Sequence, residues 1–320
     1  MVVLQAARMA PGVKGLLCMV AGCALVTFND AILKWLTTDY PVGQIMFVRA
    51  IFVFPPILLL ALNEGGLSNL RVRNVKGHAV RSGIVVCGMF LFVTAISLMP
   101  IADALAIAFA APLLGTVLAV PMLGERVGWR RWSAVIVGLC GVVVALKPTG
   151  EGIALAALLP LGAAVTGALR DIVTRRLSVS DSSSSILMVT TVAVMLAGLV
   201  SSLAPVVGWH AVAWQAMTWE HIGLLAGAGV LLAGAQYLMI EAVRYAEIGL
   251  VAPFKYTSIV WAVILGYLVF DTVPDVWIVT GSTIVIASGL YILHRETTLN
   301  TAHRSVPDRP DSAPLDRPPR

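Results

Sequence analysis

"LAIAFAAPLLGTVLAVPMLGERV", residues 105–127, and "VAPFKYTSIVWAVILGYLVFDTV", residues 251–273, lie over one another when the chain is shifted by 146 positions. Leu105 then meets Val251, Leu118 meets Ile264, Leu123 meets Val269, Glu125 meets Asp271 and Val127 meets Val273. Each segment carries a proline in its first half, Pro112 and Pro253, and ends in an acidic turn. A second match, at a shift of 141, sets "NDAILKWL" (29–36) on "RDIVTRRL" (170–177), with Asp30 on Asp171 and Lys34 on Arg175. Coincidental matches are common in Leu-, Val- and Ala-rich sequence. These two occur in the same order and keep the charged positions, so the chain reads as two copies of one unit.

That unit belongs in a bilayer. The 320 residues are 58% hydrophobic and 12% charged, with a mean hydropathy of +0.90, whereas soluble domains carry about a quarter charged residues. Crossing the hydrocarbon takes about 20 mostly apolar residues, and ten candidates stand out: 13–36, 41–62, 79–98, 100–122, 132–147, 152–169, 185–207, 221–241, 247–270 and 276–293. Five spans per copy is an odd number, so the second copy enters from the opposite side. The expected fold is all-α and integral to the membrane: ten transmembrane helices as two inverted five-helix repeats, an arrangement typical of secondary transporters. Residues 1–12 form a cytoplasmic N-terminal segment, 13–147 the first repeat and 152–293 the second. The segment 294–320, rich in Pro, Arg and Asp, has too little apolar content to fold and reads as a disordered cytoplasmic tail.

"VAGC", Val20 to Cys23, resembles a lipoprotein cleavage site. Nine further spans and the repeat both require this segment as a helix. Basic residues set the orientation. With the N-terminus inside, eighteen of the 22 Lys and Arg face the cytoplasm, among them Arg71, Arg73, Arg81, Arg130 and Arg170. Both termini are therefore expected in the cytoplasm. The net charge of +5 reflects topology and not nucleic acid, since no soluble segment carries a basic stripe with interleaved aromatics. Cys18, Cys23, Cys87 and Cys140 fall inside spans without paired spacing and read as reduced packing residues. Trp129, Trp132, Trp209, Trp214 and Trp219 read as interfacial anchors.

The elements "NDAILKWL", "VRAIFVFPPILLL", the long stretch from Pro100 to Pro148 with its "LGE" turn, and "APFKYTSIVWAVILGYLVFDTVPD" together resemble the EamA group of the drug/metabolite transporter superfamily. The resemblance covers about residues 13–293, and its most specific part is the stretch across the fourth and fifth helices. It departs at "VFDTVPD", where Asp271 stands in place of the usual glutamate after glycine. The resemblance implies transport of a small polar or amphipathic metabolite across a bacterial inner membrane without ATP. No Walker-type motif, "DDxxD" motif or His/Cys cluster occurs, all five histidines fall in expected loops or the tail, and no catalytic residues, metal or cofactor are expected. Energy would come from a proton or a counter-solute.

Ionisable groups at membrane depth mark either function or a buried pair. Asp30 and Lys34 share one helix face, Asp30 lies about six residues below the outer surface, and Arg49 lies about eight residues, or roughly 12 Å, below it. An Asp30–Arg49 bridge pinning the first two helices and a bridge that opens as a gate both fit, as does Arg49 holding an anion. Lys255 has no partner within its own helix, and Pro253 beside it should bend the helix. Facing a substrate cavity and neutralising Glu241 or Glu247 are its two readings. Tyr256, Tyr237, Gln236 and Phe109 are further candidates for the cavity wall, and Asp103 for a helix cap. Within the family, the elements look similar to uptake members for riboflavin or S-adenosylmethionine. Export of an amino-acid-like metabolite or metallophore also fits, and a non-transporting membrane enzyme or scaffold is the competing class. Riboflavin comes first, because a planar solute suits an aromatic cavity and a cation sits badly beside Arg49 and Lys255.

Overall fold

The structure, a computed structural model, describes residues 11–63, 66–124, 128–145, 155–177, 181–201, 213–245 and 252–304. Among these, all regular structure is helical, and eleven α-helices build ten spans. The first three are Pro11–Leu36, Val42–Asn63 and Val75–Leu98. The fourth is split into Ile101–Ala108 and Ala111–Leu123, and the fifth is Trp129–Ala145. The second half comprises Leu158–Leu177, Ser183–Ser201, Trp219–Tyr245, a ninth span in which the 3-10 turn Ala252–Tyr256 leads into Thr257–Phe270, and Val276–Arg304. Six spans are long and apolar enough to cross a membrane on length and composition alone, and three shorter apolar helices join them. The protein is a multi-pass membrane protein.

The contacts between spans follow the sequence repeat. Adding five to a span number turns one packed pair into another. The first span packs on the eighth and the sixth on the third; the first touches the ninth and the sixth touches the fourth; the second touches the eighth and the seventh touches the third. The second with the seventh, and the fifth with the tenth, pair with their own mates. A pseudo-two-fold axis therefore runs through these two crossings, and the inverted relation follows from five spans per half. Without a hydrophobic drive between helices in lipid, such crossings depend on close backbone approach. At the fifth–tenth crossing, a Cβ built on Gly281 would lie 2.5 Å from the Gly141 carbonyl oxygen and 2.6 Å from the Ala145 amide nitrogen.

Both matched segments break at the same place. In the fourth span the helix stops at Ala108 and restarts at Ala111; in the ninth it restarts at Thr257, 146 residues later. Phe109 and Lys255 are thus equivalent residues on the two breaks. Pro112 and Pro253, which cannot donate a backbone bond, sit beside them as expected. The freed groups find partners. Cys23 Sγ lies 3.7 Å from the carbonyl oxygens of both Phe254 and Lys255, and Thr257 Oγ1 donates to Phe254 O at 2.6 Å. The fourth span closes its break with Phe109 N to Leu105 O at 2.9 Å and Ala110 N to Ile107 O at 3.0 Å.

Several expectations are corrected. The sixth helix runs on past residue 169 to Leu177, and the last helix continues to Arg304, since "HRETTLNTAHR" contains neither Gly nor Pro and the first proline after it is Pro307. Residues 305–320 of the expected tail lie outside the described residues, as do Glu125 and Val127 of the repeat. At the end of the ninth span Asp271 takes a left-handed conformation, φ 51°, matching the Gly124 cap of the fourth, φ 69°. Asp271 therefore fills the role of the glycine, which a short polar side chain tolerates. His78 and His221 lie in the first turns of the third and eighth helices, not in loops. Cys23 is buried, but Cys87 and Cys140 are exposed rather than packed in the core. Trp129 and Trp219 are exposed as interfacial anchors require, whereas Trp214 stacks on Phe47 at 5.3 Å. Trp209 lies outside the described residues.

The crossing gives a first test. Gly281→Ala should lower membrane abundance and thermal stability, because backbone on the fifth helix would have to move. Gly223→Ala, whose Cβ meets nothing within 4 Å, should not. Equal thermal stability of the two purified variants would show that the helices do not cross there.

Candidate functional site

A cavity of about 590 Å³ lies between the halves. Its wall takes the first half of the first, third, seventh and ninth spans and the later part of the second, sixth and eighth, so it sits toward one face. That face carries Arg71, Arg73, Lys76, Arg130 and Arg176 around the helix ends. The cavity reaches the Arg170–Asp171 pair (2.9 Å), whose side chains are 46% and 64% exposed, so it communicates with the surface there.

The opposite face is closed by hydrogen bonds. Tyr40 Oη meets His221 Nδ1 at 2.8 Å. Gln44 Nε2 donates to Gln215 O at 2.6 Å, and Gln215 N returns a bond to Gln44 Oε1 at 3.0 Å. Lys34 Nζ donates to the carbonyl oxygens of Ile96 and Met99, at 2.7 and 2.6 Å, closing the end of the third span. Its charge is also within reach of Asp103 and of the Phe270 ring, 5.4 Å from the centroid. On the basic face, His78 Nε2 lies 3.2 Å from Asp181 Oδ1, and Asp181 stands 141 residues after Tyr40. Tyr40 and Asp181, equivalent at the 141 shift, thus each meet a histidine, one on each face.

Asp30 and Arg49 are both buried, but a third residue stands between them. Asn29 Nδ2 donates to Asp30 Oδ1 at 3.0 Å, and Arg49 Nη1 donates to Asn29 Oδ1 at 3.3 Å. The expected direct bridge is therefore relayed by an amide, which can donate to the carboxylate and accept from the guanidinium at once. Lys34 takes no part, since the carbonyls at the end of the third span lie nearer than Asp30. Sequence reading missed Asn29, although its place immediately before the buried Asp30 was the available signal.

Of the six candidate wall residues, Lys255, Arg49, Gln236 and Phe109 line the cavity. Tyr256 stands behind the wall and packs on Phe109, centroids 5.0 Å apart. Tyr237 points away, 43% exposed on the outer surface of the eighth helix. Lys255 makes no ion pair among the described residues. Glu241 is engaged by Tyr245, and Glu247 lies outside the described residues. Two wall residues were read as cytoplasmic charges: Arg81 and Arg170. Arg81 is buried, and its position already inside the apolar run from residue 79 was the signal passed over. No group of three or more potential metal ligands occurs among the described residues.

The family described as "EamA-like transporter family" matches residues 13–147. A riboflavin transporter of Rhizobium johnstonii is 30% identical over 288 residues, 89% of this chain and 92% of its relative. The chain belongs to the EamA-like transporter family. An S-adenosylmethionine uptake transporter of Rickettsia conorii is 27% identical over 279 residues, covering 87% of this chain and 92% of the relative. A solved crystal structure shares the fold with a TM-score of 0.60 at 18% identity, over 91% of this chain and 98% of that one. Membership in the EamA-like family implies a small-molecule cargo and a lipid surround, and the helical repeat described above is the frame that carries them.

The Asn29 relay yields a second test. Asp30→Asn or Arg49→Gln alone strands a buried charge and should cost about 3–5 kcal/mol or sharply lower abundance. The double variant should recover abundance over either single change, and Asn29→Leu should behave like the singles. Additive losses in membrane abundance would mean that the three residues are not one unit.

Proposed function

We propose that the protein is a secondary transporter of the inner membrane, moving a small metabolite by alternating access between its two five-helix halves, with both termini in the cytoplasm. The observation that carries this reading is a cavity between the halves that communicates with one face while hydrogen bonds close the other. The two helix breaks bring Phe109 and Lys255 to its wall, and irregular backbone at membrane depth is tolerated where it lines a cavity. About 590 Å³ is in the range of small-molecule sites. Lys255, Arg49, Gln236 and Phe109 are proposed as cargo-facing residues, with Tyr256 supporting Phe109 from behind. Asn29, Asp30 and Arg49 form the structural or gating unit, and a proton or counter-solute supplies the energy.

Riboflavin uptake is the first cargo to test. One relative is a riboflavin transporter and another an S-adenosylmethionine uptake transporter, and the cavity wall holds more cations than carboxylates, which disfavours the cationic sulfonium of S-adenosylmethionine. Export of an amino-acid-like metabolite or metallophore is the alternative.

Uptake and efflux of a metabolite panel in cells lacking and overproducing the chain decide the cargo. In that assay Lys255→Met, which removes a charge with no ion-pair partner among the described residues and keeps the stem, should leave abundance nearly unchanged and lower the initial rate at least tenfold, about 1.4 kcal/mol of barrier. Normal abundance with a normal rate would remove Lys255 from the mechanism. Orientation has its own check: reporters after residue 295 and near residue 75 should read cytoplasm, and one near residue 212 periplasm. The reverse pattern would invert the assignment of the two faces.

A further inference from the structure

Arg81 is buried, 8% exposed, on the cavity wall. Its Nε donates to Thr174 Oγ1 at 2.7 Å, and its Nη1 donates to Thr190 Oγ1. Both threonines spend their own protons on helix carbonyls, Thr174 on Arg170 O at 2.6 Å and Thr190 on Ile186 O at 2.7 Å. They can therefore only accept from the guanidinium. Two neutral oxygens orient Arg81 without neutralising it, and three of its five N–H bonds have no protein acceptor among the described residues.

Two of the other cations on the cavity wall are answered. Arg49 is answered by Asp30 through Asn29, and Arg170 by Asp171 at 2.9 Å. Asp171, itself paired with Arg170, is the one carboxylate on the same wall among the described residues. Lys255, on the same cavity, has no carboxylate partner among the described residues. A buried cation held only by neutral groups is costly unless an anion joins it, and a guanidinium offers a paired set of donors to carboxylate or phosphate oxygens.

We infer that Arg81, held between Thr174 and Thr190 and supported by the Lys255 charge, is an anion-binding subsite of the transport cavity that takes a carboxylate or phosphate group. The inference rests on the transporter reading and narrows it: the cargo carries at least one negative charge that docks at the sixth and seventh spans, while its apolar part meets Met19, Val53 and Phe109. Riboflavin itself lacks such a charge, so a phosphorylated relative of a planar solute fits the cavity better.

The test uses the purified full chain and three probes in equilibrium binding: riboflavin, riboflavin 5′-phosphate and inorganic phosphate. The phosphate ester should bind at least tenfold more tightly than riboflavin, and the preference should shrink as salt is raised. Arg81→Gln should abolish the preference, and Arg81→Lys should retain part of it. Inorganic phosphate bound as tightly as the ester would assign the subsite to a free anion accompanying the cargo; weaker binding would assign it to the cargo's own group. Where neither flavin binds, the riboflavin reading fails, and displacement of inorganic phosphate by other organic anions in wild type and Arg81→Lys still reads the subsite. No anion preference in wild type, or one that survives in Arg81→Gln, would overturn the inference.

Discussion

Everything in this fold follows from the cost of leaving a backbone group without a hydrogen bond in hydrocarbon. Ten spans meet that demand internally as helices, and two of them interrupt it at equivalent points. The interruptions persist because partners are supplied: a cysteine thiol and a threonine hydroxyl at the ninth span, and tightened backbone turns at the fourth. Where the backbone is irregular, side chains can leave the helix surface at angles that a regular turn forbids. Phe109 and Lys255 use that freedom, and the duplicated break places one at the wall from each half of the molecule.

The electrostatic character of the cavity is not symmetric. The repeat sets Phe109 opposite Lys255 and Asn29 opposite Arg170, so matching positions carry a charge in one half and none in the other, while the first half supplies its own cations from Arg49 and Arg81. Asp30 and Asp171 occupy matching positions, yet one is sealed behind an amide relay and the other lies open beside Arg170. A symmetric scaffold thus carries an uneven lining. That unevenness supplies what a site needs to recognise one orientation of a cargo.

Much of this was legible in the sequence. Composition gave the membrane class, and Pro112 and Pro253 marked where the two matched spans bend, because proline is a local signal. The burial of Arg49 could be read from its place inside a span. Contacts between distant spans could not. The Asn29 relay depends on how the first helix is turned against the second, and no one-dimensional pattern contains that rotation. Arg81 was misread for a different reason: charge near a span edge argues for a cytoplasmic loop, but tertiary packing buried it against two threonines 93 and 109 residues away. Tyr237 was the reverse case, a polar aromatic that the helix turns outward.

The three neutral hydrogen bonds that tie Tyr40 and Gln44 to His221 and Gln215 set a bias as well as a seal. Each such bond contributes about 1 kcal/mol net, so in the proposed alternating access they weigh against the conformer open on that side by a factor on the order of a hundred. A solute arriving there meets mostly closed molecules, and its apparent affinity falls by the same factor. The protein would then look like a weak binder from one compartment and a strong one from the other, with identical contacts in the cavity. Such rectified saturation is a property of the latch, and it could change over evolution without touching a residue that meets the cargo.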